Sequence, residues 1–100
     1  MPQGPFQTQV LSTANHSALN ITAETVVKST NGFVVRVSIN TAGSAPCAIY
    51  DAATIGTAVA ANLIAEIPAT VGSYAVEFPF AHGLVVAPGA GGQVVSVAFN

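Results

Sequence analysis

The apolar residues of this chain lie in short stretches of alternating apolar and polar residues, separated by Gly, Pro, Asn and Ser. A period of two is typical of β-strands, because successive side chains point to opposite faces of a sheet. The clearest stretch covers residues 33–40, and its alternation predicts one face made of Phe33, Val35, Val37 and Ile39. No amphipathic helical pattern accompanies these stretches. The chain is therefore expected to be all-β.

Seven or eight strands at regular spacing are predicted in all. The candidates cover residues 19–22, 24–29, 33–40, 47–51, 63–67, 73–80, 84–87 and 93–99. Residues 52–62 are interpreted as a loop with one helical turn at 58–62, since their alanines favour helix while Gly and β-branched residues oppose it. In the sixth candidate, an aromatic row is expected to join the core: Tyr74, Val76, Phe78 and Phe80.

Two turn signals predict hairpins. Asn31-Gly32 lies between two apolar stretches, and both residue types tolerate the positive φ of a tight hairpin turn. Residues 88–92 contain three glycines that can supply unusual φ values, and are expected to join the last two strands as a hairpin loop. Together with the strand spacing, these signals predict a single antiparallel β-sandwich of Greek-key or jelly-roll type.

The chain divides at about residue 18. Residues 1–18 are polar, carry Pro2 and Pro5, and are predicted to form an extended N-terminal arm. Residues 19–100 are predicted to form the β-sandwich domain. Because Phe6, Val10 and Leu11 are the only large apolar residues in the arm, we expect the arm to contribute to attachment to a neighbouring subunit rather than to folding.

The charge of the chain argues against nucleic acid as a partner. Lys28 and Arg36 are the only basic residues apart from two histidines, and the formal net charge is −2. Electrostatic binding to nucleic acid requires several phosphate contacts from Lys and Arg. No nucleic-acid partner is therefore expected.

No membrane partner is expected either. The longest apolar candidate, residues 52–67, is interrupted by Gly56, Asn62 and Glu66, and is shorter than the roughly 20 apolar residues of a spanning helix. The first five residues have neither a basic start nor an apolar segment typical of a secretory signal. We therefore expect synthesis in the cytoplasm of the producing cell.

No catalytic, cofactor or metal site is predicted. His16 and His82 lie far apart in the sequence, and no Cys, Asp or Glu stands near them at a spacing typical of metal ligands. Ser17 or Ser73 could form a triad with a histidine and Asp51, but the loop motifs typical of a catalytic serine are absent around both serines. Gly89-Ala90-Gly91-Gly92 lacks the Lys and the following helix of a phosphate-binding loop. Cys47 is interpreted as a small buried apolar residue. An enzyme is therefore not expected.

Several segments carry a resemblance to a known family. These are residues 34–45 (VVRVSINTAGSA), residues 49–54 (IYDAAT), residues 64–68 (IAEIP) with Val71-Gly72, and residues 83–86 (GLVV) leading into Pro88-Gly89. Over residues 21–99 the chain resembles short proteins encoded among the virion genes of tailed bacteriophages. The resembling segments are strand and turn patterns, so no functional residue is carried over from the family.

The resemblance implies a β-sandwich accessory protein of the virion, similar to capsid decoration or cement proteins, which bind the assembled shell in many copies. The expected partners are other copies of the chain and the major capsid protein or another virion protein. The alternative is a ligand- or carbohydrate-binding module of a tail fibre or adhesin. Tyr50 and Tyr74 would be its only tyrosines, and Trp is absent from the chain.

Low charge predicts self-association of the purified protein. Only six of the 100 residues are charged and 51% are apolar, whereas soluble domains usually carry about 25% charged residues. Val34 and Val94 are expected to add outward apolar surface. We expect a homo-oligomer, a dimer or trimer, in sedimentation equilibrium at micromolar concentration. A single species of monomer mass would contradict this prediction.

Overall fold

The computed structural model describes residues 15–100 and contains eight strands with two 3₁₀ turns. The strands are β1 (His16–Ile21), β2 (Thr25–Lys28), β3 (Gly32–Thr41), β4 (Cys47–Asp51), β5 (Leu63–Ile67), β6 (Gly72–Phe80), β7 (Leu84–Ala87) and β8 (Val94–Phe99). The 3₁₀ turns, Ile55–Thr57 and Ala60–Asn62, occupy the predicted loop between β4 and β5. The expected helical turn at 58–62 is thus a shorter 3₁₀ turn, preceded by a second one.

The eight strands form two four-stranded antiparallel sheets packed against each other. The first sheet has the order β1-β8-β3-β6 and the second the order β2-β7-β4-β5. Consecutive strands lie in different sheets, except for β4 and β5, which pair with each other. This strand order is that of an eight-stranded jelly roll, and it confirms the predicted β-sandwich.

The core lies between the two sheets and consists mainly of β-branched side chains. Its fully buried members come from the inner strands of both sheets: Val34, Val37, Ile39, Ile49, Val86, Val95 and Val97. Cys47 is also fully buried, as predicted, and burial raises the pKa of its thiol to about 11. The thiol is therefore protonated and packs as an apolar group.

Both predicted hairpins are wrong. β2 pairs with β7 and β3 pairs with β6 and β8, so Asn31-Gly32 connects two sheets instead of two neighbouring strands. Gly32 is required for packing, since a Cβ there would collide with the backbone carbonyl oxygen of Asn100. Residues 88–92 likewise cross from β7 to β8 in the other sheet. Gly91 and Gly92 do adopt positive φ values of 89° and 80° in this loop.

The predicted face of β3 is only half right. Val37 and Ile39 are buried as expected, but Val34 is buried and Val35 is only partly so. The pairing of β3 with β8 shifts between Val34 and Arg36, which adds one residue to β3 and reverses the alternation. Val34 is therefore a core residue and not the outward apolar residue that the sequence predicted.

The aromatic row of β6 is not uniformly core. Phe80 is buried, and Tyr74 and Val76 pack against the core while partly exposed, but Phe78 is 50% exposed. β6 is an edge strand, and Glu77, with a φ of 51°, lies where its pairing with β3 shifts. An edge residue beside a bulge has few neighbours to cover it. The prediction that Phe78 belongs to the core is therefore wrong.

Strand β1 begins earlier than expected. His16, Ser17 and Ala18 pair with Phe99, Ala98 and Val97 of β8. These three residues were placed in the arm by the sequence, so the sheet extends about three residues further toward the N-terminus. The rest of the predicted arm, including Phe6, Val10 and Leu11, lies outside the described residues.

At one end of the sandwich the loops meet around a buried glutamine. The side chain of Gln93 accepts a hydrogen bond of 2.7 Å from the Gly89 backbone N–H and donates one of 3.2 Å to the Ala45 carbonyl. The Ser44 N–H donates to the Ala90 carbonyl at 2.7 Å. The loops β3–β4 and β7–β8 are therefore fixed to each other, which satisfies backbone groups that the crossing would otherwise leave unpaired.

The difference between Phe80 and Phe78 can be tested with matched truncations. Phe80→Ala removes a buried ring and is expected to lower the free energy of unfolding by about 3–5 kcal/mol. Phe78→Ala removes a half-exposed ring and is expected to cost about 1 kcal/mol or less. Urea denaturation of both variants measures the difference. Equal losses would contradict the observed packing of β6.

Candidate functional site

The candidate site lies at the opposite end of the sandwich from Gln93 and is organised by Asp51, the last residue of β4. Its carboxylate accepts backbone N–H bonds from Ala81 at 2.9 Å, His82 at 2.8 Å and Gly83 at 3.4 Å. These three residues form the connection from β6 to β7. A single side chain therefore fixes the loop that joins the two sheets at this end.

Close backbone packing supports the same junction. The Ala52 N–H donates to the Gly83 carbonyl at 3.1 Å. A Cβ on Gly83 would lie 2.5 Å from the Ala52 carbonyl oxygen and 2.6 Å from that of Lys28. Glycine is therefore required here, because three connecting segments meet without room for a side chain.

Two adjoining clefts open beside this junction. The first, of about 350 Å³, is lined by Asp51, Ala52, Ala53, Thr54, Thr57, Asn62 and His82. The second, of about 210 Å³, is lined by Asp51, Ala61, Asn62, Leu63, Ile64, Phe78 and His82. Asp51, Asn62 and His82 line both clefts, so the clefts adjoin each other, and we call the two together the Asp51 groove.

Hydrogen bonds orient the polar side chains of the Asp51 groove. Asn62 donates its Nδ2 to the Thr57 carbonyl at 2.7 Å, and the hydroxyls of Thr54 and Thr57 lie 2.9 Å apart. The Nδ1 atom of His82 lies 3.5 Å from Oδ1 of Asp51, while 75% of the His82 side chain is exposed. The groove thus presents oriented amide and hydroxyl groups to solvent, with the exposed imidazole of His82 beside them.

The surroundings of Asp51 favour its charged form. Partial burial acts to raise the pKa of this carboxyl, but the backbone N–H bonds from Ala81, His82 and Gly83, together with the His82 ring, hold the pKa below its ordinary value of 3.8. Asp51 is therefore an anionic anchor for the loop and not a proton donor near neutral pH.

The histidine and serine residues considered in the sequence do not assemble into a triad. His16 stacks on Phe99 with ring centroids 5.5 Å apart. Ser73 is hydrogen-bonded within the first sheet to Arg36 and Ser38, and neither Ser73 nor Ser17 lines the Asp51 groove. Only Asp51 and His82 are brought together, although they lie 31 positions apart.

Residues 15–100 contain no group of three or more His, Cys, Asp or Glu side chains that could hold a metal ion. In the same residues, no helix has both the length and the apolar character needed to cross a bilayer.

Comparisons with family models, with curated proteins and with solved structures give no match for this chain. Its function must therefore be inferred from the residues and geometry described above.

The hydrogen bonds of Asp51 predict a specific loss of stability in acid. Because its pKa is lower in the folded than in the unfolded protein, its contribution is complete only well above the unfolded-state pKa and is lost as the pH falls through the folded-state pKa. Asp51→Asn is expected to lower the free energy of unfolding at pH 7 by about 1–2 kcal/mol, reduced by solvent access to the carboxylate.

Chemical denaturation at several pH values between 2 and 7 measures this contribution. The stability gap between wild type and Asp51→Asn should narrow as the pH falls. Glu24→Gln, which removes an exposed carboxylate, is the control and should retain the acid-dependent fall of the wild type. A gap between wild type and Asp51→Asn that stays constant down to pH 2 would contradict the role assigned to the Asp51 charge.

Proposed function

We propose that the protein is a structural component of a tailed bacteriophage virion, a capsid decoration or cement protein that binds and stabilises the assembled shell. The observation that carries the proposal is a weakly charged jelly roll with large apolar side chains exposed on its surface. Leu19 is 68% exposed and Val71 is 64% exposed. Apolar side chains exposed to this degree on a domain with few charges favour assembly with another protein.

Leu19 and Val71 lie at the two opposite edges of the first sheet, in β1 and next to β6. Ile21, two residues after Leu19, pairs with Val95 of β8, which pairs with Ile39 of β3. Ile39 in turn pairs with Gly72, the residue that follows Val71. Val71 is therefore near the Gln93 end of the sandwich, where the loops are firmly held, whereas Leu19 lies about midway along β8.

Rigidity of this end supports an attachment role. Gln93 and the Ser44–Ala90 hydrogen bond hold two loops together before any partner binds. A surface that is already ordered loses less conformational entropy on association than a flexible one. In this proposal the Gln93 end contacts the major capsid protein, neighbouring copies self-associate, and the protein resides in the virion after synthesis in the host cytoplasm.

Binding of purified protein to undecorated shells of the encoding phage tests the proposal. Val71→Ser is expected to weaken shell binding about tenfold, because it removes apolar contact area at the attachment end. Val59→Ser is the matched control, since Val59 is 50% exposed beside the Asp51 groove, and it should bind like wild type. Co-sedimentation with shells measures both affinities.

Composition of the virion provides an independent check. Quantitative mass spectrometry of purified particles should find the protein in a fixed, high ratio to the major capsid protein. Its absence from purified particles, or a location restricted to the tail, would contradict a decoration role. Equal binding by Val71→Ser and Val59→Ser would contradict attachment through the Gln93 end.

A further inference from the structure

We propose that the Asp51 groove is a binding site for an uncharged, hydroxyl-rich ligand, a sugar of one or two rings. The two clefts, of about 350 and 210 Å³, together fall within the size range of small-ligand sites. The groove lies at the end of the sandwich opposite the proposed attachment end. The inference concerns the isolated protein, so it stands independently of any binding to a shell.

Asn62 offers a fixed hydrogen-bond acceptor. Its Nδ2 is held by the Thr57 carbonyl at 2.7 Å, which orients the amide. Its Oδ1 has no hydrogen-bond partner within residues 15–100, so it can accept from a ligand hydroxyl. The nearby hydroxyls of Thr54 and Thr57 can both donate and accept. This combination matches the mixed donor and acceptor character of sugar hydroxyls.

His82 adds a second polar group, on a loop whose backbone is held in place. Its backbone N–H is bound to Asp51, and its Nδ1 lies 3.5 Å from the same carboxylate. The ring is nevertheless 75% exposed, which leaves Nε2 directed away from that contact and open to a ligand. The loop position is thus set in advance, while the side chain that would meet the ligand stays accessible.

Phe78 supplies an apolar surface beside these polar groups. The ring is 50% exposed and lines the second cleft together with Leu63. Sugar rings have a C–H face that packs on apolar and aromatic surfaces while their hydroxyls bind polar groups at the side. The edge position of β6 leaves the Phe78 ring half uncovered, and a sugar ring can pack on that face.

The charges around the groove favour a neutral ligand. Neither Lys28 nor Arg36 lines either cleft, so a phosphate or carboxylate ligand would meet Asp51 without a compensating cation. A metal ion is also disfavoured, because the Asp51 oxygens already accept three backbone N–H bonds. An uncharged ligand needs no compensating cation and does not compete for the oxygens of Asp51.

Titration of the ¹⁵N-labelled protein with maltose, lactose and di-N-acetylchitobiose tests the inference. At least one of these sugars is expected to shift the backbone amide signals of Thr57, Asn62 and His82, with a Kd of about 1 mM. Cyclohexanol, a ring with a single hydroxyl, and glucose 6-phosphate are the comparison probes. Both are expected to bind at least about tenfold more weakly than the sugar that binds.

Variants identify the groups that make contact. His82→Ala and Phe78→Ala alter exposed side chains and are each expected to weaken sugar binding about fivefold to tenfold. His16→Ala is the matched control for His82, since His16 lines neither cleft, and it should leave the Kd unchanged. A well-dispersed amide spectrum of each variant establishes that it is folded.

Three results would overturn the inference. The first is no shift of these amides by any of the three sugars up to about 50 mM, a concentration well above the expected Kd. The second is equal binding of cyclohexanol or glucose 6-phosphate, which would show that a hydroxyl-rich neutral ligand is not preferred. The third is an unchanged Kd in both His82→Ala and Phe78→Ala.

Discussion

Burial of β-branched side chains between the two sheets is the interaction on which the rest of the structure depends. Val37 and Val97 of one sheet and Val86 of the other are almost completely removed from solvent. Each such side chain contributes about 1.5–3 kcal/mol relative to exposure. Ion pairing contributes little by comparison, because the one charged contact within residues 15–100 joins Asp51 to a largely exposed histidine. The sandwich is therefore held together by its interior.

The apolar core cannot by itself fix the loops. At each end of the sandwich, one buried or partly buried polar side chain holds the connecting loops in place. Gln93 joins the loops β3–β4 and β7–β8, while Asp51 holds the connection from β6 to β7. Both use side-chain oxygen atoms to accept backbone N–H groups where strands cross between sheets. The amide at one end is neutral and buried, whereas the carboxylate at the other is charged and borders a groove.

The strands could be predicted from the sequence because period-two alternation is a local property, and each observed strand overlaps a predicted one. The pairing partners of the strands could not be predicted from the sequence. Asn31-Gly32 permits a hairpin turn but does not determine which strand lies beside β2. The shifts in strand pairing at Val34 and Glu77 could not be predicted either. One extra residue in a strand reverses which side chains face the core, and nothing in the amino-acid composition indicates it. The Asp51 groove was missed for a similar reason: its residues converge from three separate segments.

The space around the glycines differs between the points where the chain crosses from one sheet to the other and the loop between β4 and β5. At the crossings, a Cβ on Gly89 would collide with the Ala45 carbonyl oxygen, one on Gly43 would lie 2.6 Å from that of Ala90, and Gly83 is as closely packed. In the loop beside the Asp51 groove, a Cβ on Gly56 would meet nothing within 4 Å. Position 56 therefore has room for a side chain, whereas positions 43 and 89 do not. The loop between β4 and β5 can change its sequence at Gly56 without disturbing the backbone contacts by which the chain crosses between the two sheets.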